Sequence, residues 1–64
     1  MKIGSVLKYN DAIYIVTNIR ENGEIVLQLC GEDEVGLFVV PGVTLYVNST
    51  KLKNCTILGE MEVI

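Results

Sequence analysis

Hydrophobic and polar residues alternate with a period of two along most of the chain. In EIVLQLC (residues 24–30), Ile25, Leu27 and Leu29 fall on one face, and the other face mixes polar Glu24 and Gln28 with apolar Val26 and Cys30. Residues 43–48 and 55–64 alternate in the same way. Successive side chains of a strand point to opposite sides, so the pattern predicts strands with one apolar face and one mixed face.

Glycine, proline and asparagine divide the chain into short segments. Asn10-Asp11 ends the first segment, and Pro41-Gly42 predicts a later turn. Asn22-Gly23 lies between apolar segments and predicts a tight two-residue hairpin with a positive φ at Gly23. GEDEVG is interpreted as an acidic loop, and NSTKLKN as a polar segment with room for one short helical turn. The strands are therefore predicted at residues 5–9, 12–20, 24–30, 36–40, 43–48 and 55–63.

Strands this short do not build a large sandwich, and closing the sheet into a small barrel would remove its exposed edges. The first segments carry the pattern Gly4-x-Val6-x-x-Tyr9-x-x-x-x-Tyr14-x-Val16. Over residues 3–29 this pattern resembles the opening of SH3-like small barrels, such as translation-factor and KOW-type barrels and small phage accessory proteins. The resemblance implies an all-β, SH3-like barrel of five to six short antiparallel strands. At 64 residues, the chain is expected to form one domain, residues 1–64. It implies no particular chemistry, because many unrelated functions use this fold.

The segment AIYIV (residues 12–16) is apolar at every position, so both faces of its strand are apolar. By analogy with the barrels, Ile13 and Ile15 point outward, beside Val26 of the next strand. Monomers seldom expose large apolar patches. Three alternatives could bury this apolar patch: the chain's own acidic loop or C-terminal segment, a second copy of the chain, or a different protein. We favour a second copy, because symmetric self-association is common, and we expect a homo-oligomer with Ile13, Ile15 and Val26 at the contact.

The composition agrees with a small binding domain. The 64 residues are half apolar and carry a net charge of −3, and a domain of this size buries only about 60% of the surface of its unfolded chain. The N-terminal MKIGSV lacks the apolar core of a signal peptide. No apolar run approaches the roughly 20 residues of a membrane span. We therefore expect a cytoplasmic protein that does not enter a membrane.

The residue types of common catalytic sites are scarce. The chain has no His, no nucleophile motif and no glycine-rich phosphate loop, so we expect that it is not an enzyme. Cys30 and Cys55 are expected to be reduced, because the sequence shows no secretion signal, and to be buried core residues. Two thiols without His are too few ligands for a zinc site. No metal or other cofactor is expected.

Two charged segments are candidate binding sites. Glu32, Asp33 and Glu34 do not match the spacing of a calcium-binding loop, but they could attract a basic partner surface. The second candidate would hold a small anion such as phosphate, with Arg20 supplied by a neighbouring subunit; its residues are Arg20, Ser49, Thr50, Lys51 and Lys53.

These observations favour a non-catalytic, oligomeric regulator or inhibitor that binds a host protein, of the kind carried by phages and mobile elements. The alternative is an oligomer that sequesters a nucleotide-like ligand between subunits. A nucleic-acid-binding barrel comes third, because affinity for nucleic acid depends largely on positive charge, and this chain is acidic.

Overall fold

The computed structural model describes residues 1–61, which form one antiparallel sheet and one 3₁₀ helix. The strands are β1 (Ser5–Tyr9), β2 (Ala12–Ile19), β3 (Glu24–Glu32), β4 (Leu37–Asn48) and β5 (Thr56–Glu60), and the helix η1 (Ser49–Asn54) joins β4 to β5. The sheet order is β4-β3-β2-β1-β5. The all-β prediction is confirmed. The sheet is not closed into the predicted barrel, because within residues 1–61 β4 and β5 form its two edges.

Apolar clusters lie on both faces of the sheet, as the continuous apolar segment of β2 requires. Ile15 belongs to one cluster and its neighbour Val16 to the other. The main cluster consists of Leu7, Val16, Ile25, Leu27, Val47 and Leu52. The second cluster consists of Val6, Ile15 and Cys30, with Ile13 and Leu37 packed against it. The chain therefore covers part of its second apolar face itself, using a residue that follows the acidic loop.

The connection between β4 and β5 requires a strongly curved sheet. In a flat sheet of five strands the outer strands lie about 19 Å apart, at about 4.8 Å per spacing. At the β5 end of the connection, Thr56 pairs with Lys8, which lies in line with Cys30 of β3 across the sheet. At the β4 end, Asn48 pairs with Glu24 of β3. Cys30 and Glu24 are six residues apart, which is about 20 Å along the strand at 3.3 Å per residue. The connection reaches about 19 Å at most, since 3₁₀ residues rise only about 2.0 Å each. In a flat sheet the connection would have to cover both distances at once, across the strands and along them, and it is too short to do so. The sheet must therefore curl.

The helix η1 lies against the face of the sheet that carries the main cluster. Leu52 is buried in that cluster. Asn48 caps the helix: its side-chain oxygen accepts hydrogen bonds from the backbone N–H of Thr50 at 3.2 Å and from the Thr50 hydroxyl at 3.3 Å. The predicted short helical turn in the polar segment is therefore confirmed.

Of the two hairpin turns, the first lies where it was predicted and the second differs from the prediction. A two-residue turn joins β1 to β2, where Asn10 (φ 50°) and Asp11 (φ 63°) both adopt the left-handed conformation. Gly23 has the predicted positive φ of 86°, but the turn around it is longer. The Gly23 N–H donates to the Arg20 carbonyl at 3.0 Å, and the Arg20 N–H donates to the Glu24 carbonyl at 2.8 Å. The prediction of a two-residue turn at Asn22-Gly23 is wrong, because Gly23 follows the turn centre.

The chain from Leu37 to Asn48 is one strand, and the prediction of two strands separated by a turn at Pro41-Gly42 is wrong. Between the pairs Cys30–Val39 and Gln28–Thr44, β3 contains one residue and β4 contains four. Residues 40–43 form a bulge, which has three residues more than the part of β3 opposite it. Proline is tolerated there because a bulge on an edge strand does not need its N–H for the ladder.

The last strand is shorter than predicted. Its first predicted residue, Cys55, instead ends η1, and its backbone N–H donates to the Leu52 carbonyl at 3.1 Å. The strand β5 runs from Thr56 to Glu60. Predicted strand residues 62 and 63 lie outside the described residues.

Candidate interaction surface

The two cysteines are core thiols with different exposure. Both are free. Cys30 is buried in the second cluster, where burial raises the pKa of its thiol. Cys55, predicted to be buried, is half-buried against the main cluster because it ends η1. Within residues 1–61, no group of three or more potential ligands could hold a metal ion.

The acidic loop is an ordered turn. The Asp33 carboxylate accepts hydrogen bonds from the backbone N–H groups of Val35 at 2.9 Å and Gly36 at 3.0 Å, and the Asp33 N–H donates to the Gly36 carbonyl at 3.0 Å. Asp33 therefore shapes the turn, while Glu32 and Glu34 are exposed beside it. At its tip Val35 is 97% exposed.

Beyond this loop, the edge strand β4 exposes large apolar side chains. Phe38 is 48% exposed and Tyr46 is 55% exposed, with Val39 and Val43 between them at similar exposure. An edge strand also presents unpaired backbone N–H and C=O groups to any strand that approaches it. We call this region the β4 edge surface; it comprises Val35, Phe38, Val39, Val43 and Tyr46.

The Phe38 ring lies on the backbone of the neighbouring strand. Phe38 pairs with Gly31 of β3, and a Cβ placed at Gly31 would lie 2.5 Å from Phe38 Cζ. Glycine at this position therefore provides the space in which the ring packs. The contact positions an exposed aromatic side chain at the start of the β4 edge surface.

Tyr46 is held at the other end of this surface. The Arg20 guanidinium lies 5.4 Å from the centre of the Tyr46 ring, within the range of a cation–π contact. Arg20 Nη1 also lies 3.3 Å from Glu24 Oε1. Arg20 thus connects the β2–β3 turn to the edge strand within one chain.

The residues predicted to bind an anion are partly brought together. The Ser49 N–H donates to the Gly23 carbonyl at 3.2 Å, so the turn that carries Arg20 lies against the start of η1. Thr50 uses both its N–H and its hydroxyl as donors to the Asn48 cap. Lys51 and Lys53 are exposed on η1. Arg20, predicted to come from another subunit, is already paired within its own chain.

The residues predicted to contact a second copy are largely buried within one chain. Ile15 is 6% exposed and Val26 is 8% exposed. Ile13 is half-buried and pairs with Cys30. A contact through these residues stays a prediction, and Ile13 has the most surface left to contribute to it.

Sequence reasoning missed the β4 edge surface. Its signal was present in LFVVPGV (residues 37–43), which is apolar on both faces and contains the proline that central strands avoid. The opposite edge, β5, also exposes two large side chains, Ile57 and Leu58. That strand has only five residues.

No protein-family model matches the chain, and comparison with curated proteins and with solved structures gives no match. Among the described residues, no helix combines the length and the apolar character needed to cross a membrane.

Proposed function

We propose that this chain is a non-catalytic cytoplasmic binding protein that forms oligomers and acts as a regulator or inhibitor through protein–protein contacts. The observation that carries the proposal is the β4 edge surface, where exposed apolar side chains adjoin Glu32 and Glu34 along a strand that pairs with β3 on one side and, within residues 1–61, with no strand on the other. Aromatic and aliphatic anchors within a polar rim are the usual anatomy of a protein–protein interface.

The finer fold assignment belongs to the same proposal. The strand order, in which β5 returns to pair with β1, and the curvature required by the β4–β5 connection support an SH3-like, partly open barrel. The comparison with small proteins of phages and mobile elements rests on that resemblance, on the short length and on the net charge of −3.

The exposed side chains set the scale of the expected affinity. Fully burying one large apolar side chain contributes about 1.5–3 kcal/mol. Four residues of the surface are about half exposed and Val35 is almost fully exposed. Successive residues such as Phe38 and Val39 point to opposite faces of a strand, so a partner that buried all five side chains would gain at most roughly 5–9 kcal/mol. Association costs about 4–15 kcal/mol. The side chains alone give weak binding, and we expect backbone pairing along β4 to supply the remainder.

Native mass spectrometry of complexes captured from a lysate tests this function. Tyr46→Lys alters the β4 edge surface, and Leu58→Lys is the matched control, because Leu58 is 51% exposed on the opposite edge. We expect added protein mass, either a second copy or another chain, with the wild type and Leu58→Lys but not with Tyr46→Lys. A monomer that retains only a small ligand or nucleic acid would contradict the proposal.

A small-anion binder is the second candidate, favoured by the contact between Ser49 and the turn that carries Arg20. NMR titration with inorganic phosphate and with a nucleotide tests it. Shifts confined to residue 20 and residues 49–53, and lost in Lys51→Gln/Lys53→Gln, would support an anion site. Absence of shifts at saturating ligand would reject it.

A further inference from the structure

Opposite charges flank the strand β4. The exposed acids Glu32 and Glu34 precede the strand, and the exposed lysines Lys51 and Lys53 follow it on η1. A strand with acidic residues before it and basic residues after it is electrostatically complementary to its own reversed copy. An antiparallel pair of identical strands brings the start of each next to the end of the other.

We propose that the occupant of the β4 edge surface is a second copy of this chain, paired antiparallel through β4 about a twofold axis near Gly42. This inference rests on the proposed function and names the partner at that surface. The twofold axis brings the acidic loop of each copy to the end of β4 at which η1 of the other begins, so the same charge contact forms twice.

The register follows from the ends of the strand. Centring the axis on Leu37–Asn48 places Val39 opposite the partner's Tyr46 and Phe38 opposite the partner's Val47. A β-branched residue opposite an aromatic residue is a favourable cross-strand pair. The bulge at residues 40–43 then lies at the axis, where, apart from Pro41 and Val43, no described residue has an atom within 4 Å of a Cβ placed at Gly42. The pairing forms on either side of the bulge, which itself needs no partner.

The segment around β4 offers more exposed residues than the opposite edge. Seventeen of the 22 residues from Glu32 to Lys53 are exposed, which is close to the lower end of the roughly 20–30 residues per side of a standard interface. The other edge, Thr56–Glu60, offers five residues. Since each chain carries a charge of −3, two copies repel at long range, and the charges around β4 favour one orientation at contact.

Charge exchange tests the proposal on purified protein at low ionic strength, where surface charges are least screened. The first variant carries Glu32→Lys/Glu34→Lys, and the second carries Lys51→Glu/Lys53→Glu. All four positions are exposed, and circular dichroism checks that the variants keep the fold. Sedimentation equilibrium should give the wild type a mass approaching twice the 7.1 kDa of one chain, and each variant alone should dimerise at least tenfold more weakly.

Two further measurements distinguish the loss of charge pairing at the contact from a general loss of folding in the variants. A mixture of the two variants should form a heterodimer, because every loop–helix contact is then between opposite charges. The chain that carries all four changes should recover self-association. If the mixture stays monomeric and the four-change chain does not recover, the antiparallel β4 contact is wrong.

A pair of edge variants keeps the inference testable if a charge variant fails to fold. Tyr46→Lys should abolish the dimer and Leu58→Lys should leave it intact; the reverse result would place the contact on β5 and overturn the inference. A wild-type monomer that still binds another protein through Tyr46 would overturn the inference and leave the proposed function standing. A wild-type monomer that binds no protein would overturn both.

Discussion

The lack of a side chain at Gly31 leaves room for the ring of Phe38, which lies at the start of the β4 edge surface. Gly31→Ala places a methyl group where the half-exposed Phe38 ring lies, so the ring has to move outward. We expect the free energy of unfolding to fall by no more than about 1 kcal/mol, the low end of the cost of overpacking in a closed core. Gly59→Ala is the control, since nothing lies within 4 Å of its Cβ position. Urea unfolding measures both. Equal effects, or no reduction of the Gly31→Ala effect in a Phe38→Ala background, would contradict the packing.

The two thiols should differ in reactivity. A maleimide reagent should label half-buried Cys55 faster than buried Cys30, because reagent access and thiolate formation are both hindered at Cys30. Comparison of Cys30→Ala with Cys55→Ala in a labelling time course assigns the two rates. Equal rates in the native protein would show that Cys30 is not a core residue.

The raised pKa of Cys30 also predicts a pH dependence of stability. Burial favours the neutral thiol, so the folded chain keeps a proton that the unfolded chain has already lost above the ordinary thiol pKa. The unfolded state then binds fewer protons, and stability falls as pH rises through that range. Below it both states are protonated and the thiol has no effect. Urea midpoints should fall less steeply with alkaline pH in Cys30→Ala than in the wild type.

At the scale of elements, turns with local causes were predictable and the path of β4 was not. The position of the Asn10-Asp11 turn and the positive φ of Gly23 follow from residue types that tolerate left-handed backbone. The continuity of β4 depends on β3, which carries the chain past Pro41-Gly42 through a bulge. Proline and glycine occur both in turns and in bulges of edge strands. The sequence at Pro41-Gly42 therefore does not distinguish a bulge within one strand from a turn between two strands.

The two hairpins give a matched pair of substitutions. Gly23→Val forces a β-branched residue into a φ of 86° and should destabilise the protein by about 1–3 kcal/mol, the scale of backbone strain. Asp11→Gly places glycine at a position with left-handed backbone. It should leave the free energy of unfolding unchanged or raise it by up to about 1 kcal/mol. Denaturant midpoints measure both changes. An unchanged midpoint for Gly23→Val would mean that the turn does not need this conformation.

For the whole molecule, the alternation pattern predicted an all-β fold, and the continuous apolar segment of β2 predicted two apolar faces. The burial of Ile15 and Val26 within one chain could not be predicted, because it depends on how strongly the sheet curls. The candidate surface was missed for a related reason. Whether Phe38 and Tyr46 are core or surface residues depends on β4 being an edge, and strand order is a property of the complete sheet.

The predicted contact through Ile13 has a separate test. Ile13 packs against the second cluster, so Ile13→Glu should lower stability in a urea titration. If a second copy covers Ile13, light scattering should also show a shift towards monomer under conditions where the variant remains folded. An unchanged mass with reduced stability would limit Ile13 to the core.

The central claim is that this chain acts by association through its β4 edge surface. An NMR dilution series of the isotopically labelled wild type tests it most directly, because every backbone amide reports on its own surroundings. We predict concentration-dependent shifts in the acidic loop, β4 and η1, with residues 56–60 unchanged. Spectra that do not change with concentration, or changes confined to residues 56–60, would contradict the claim.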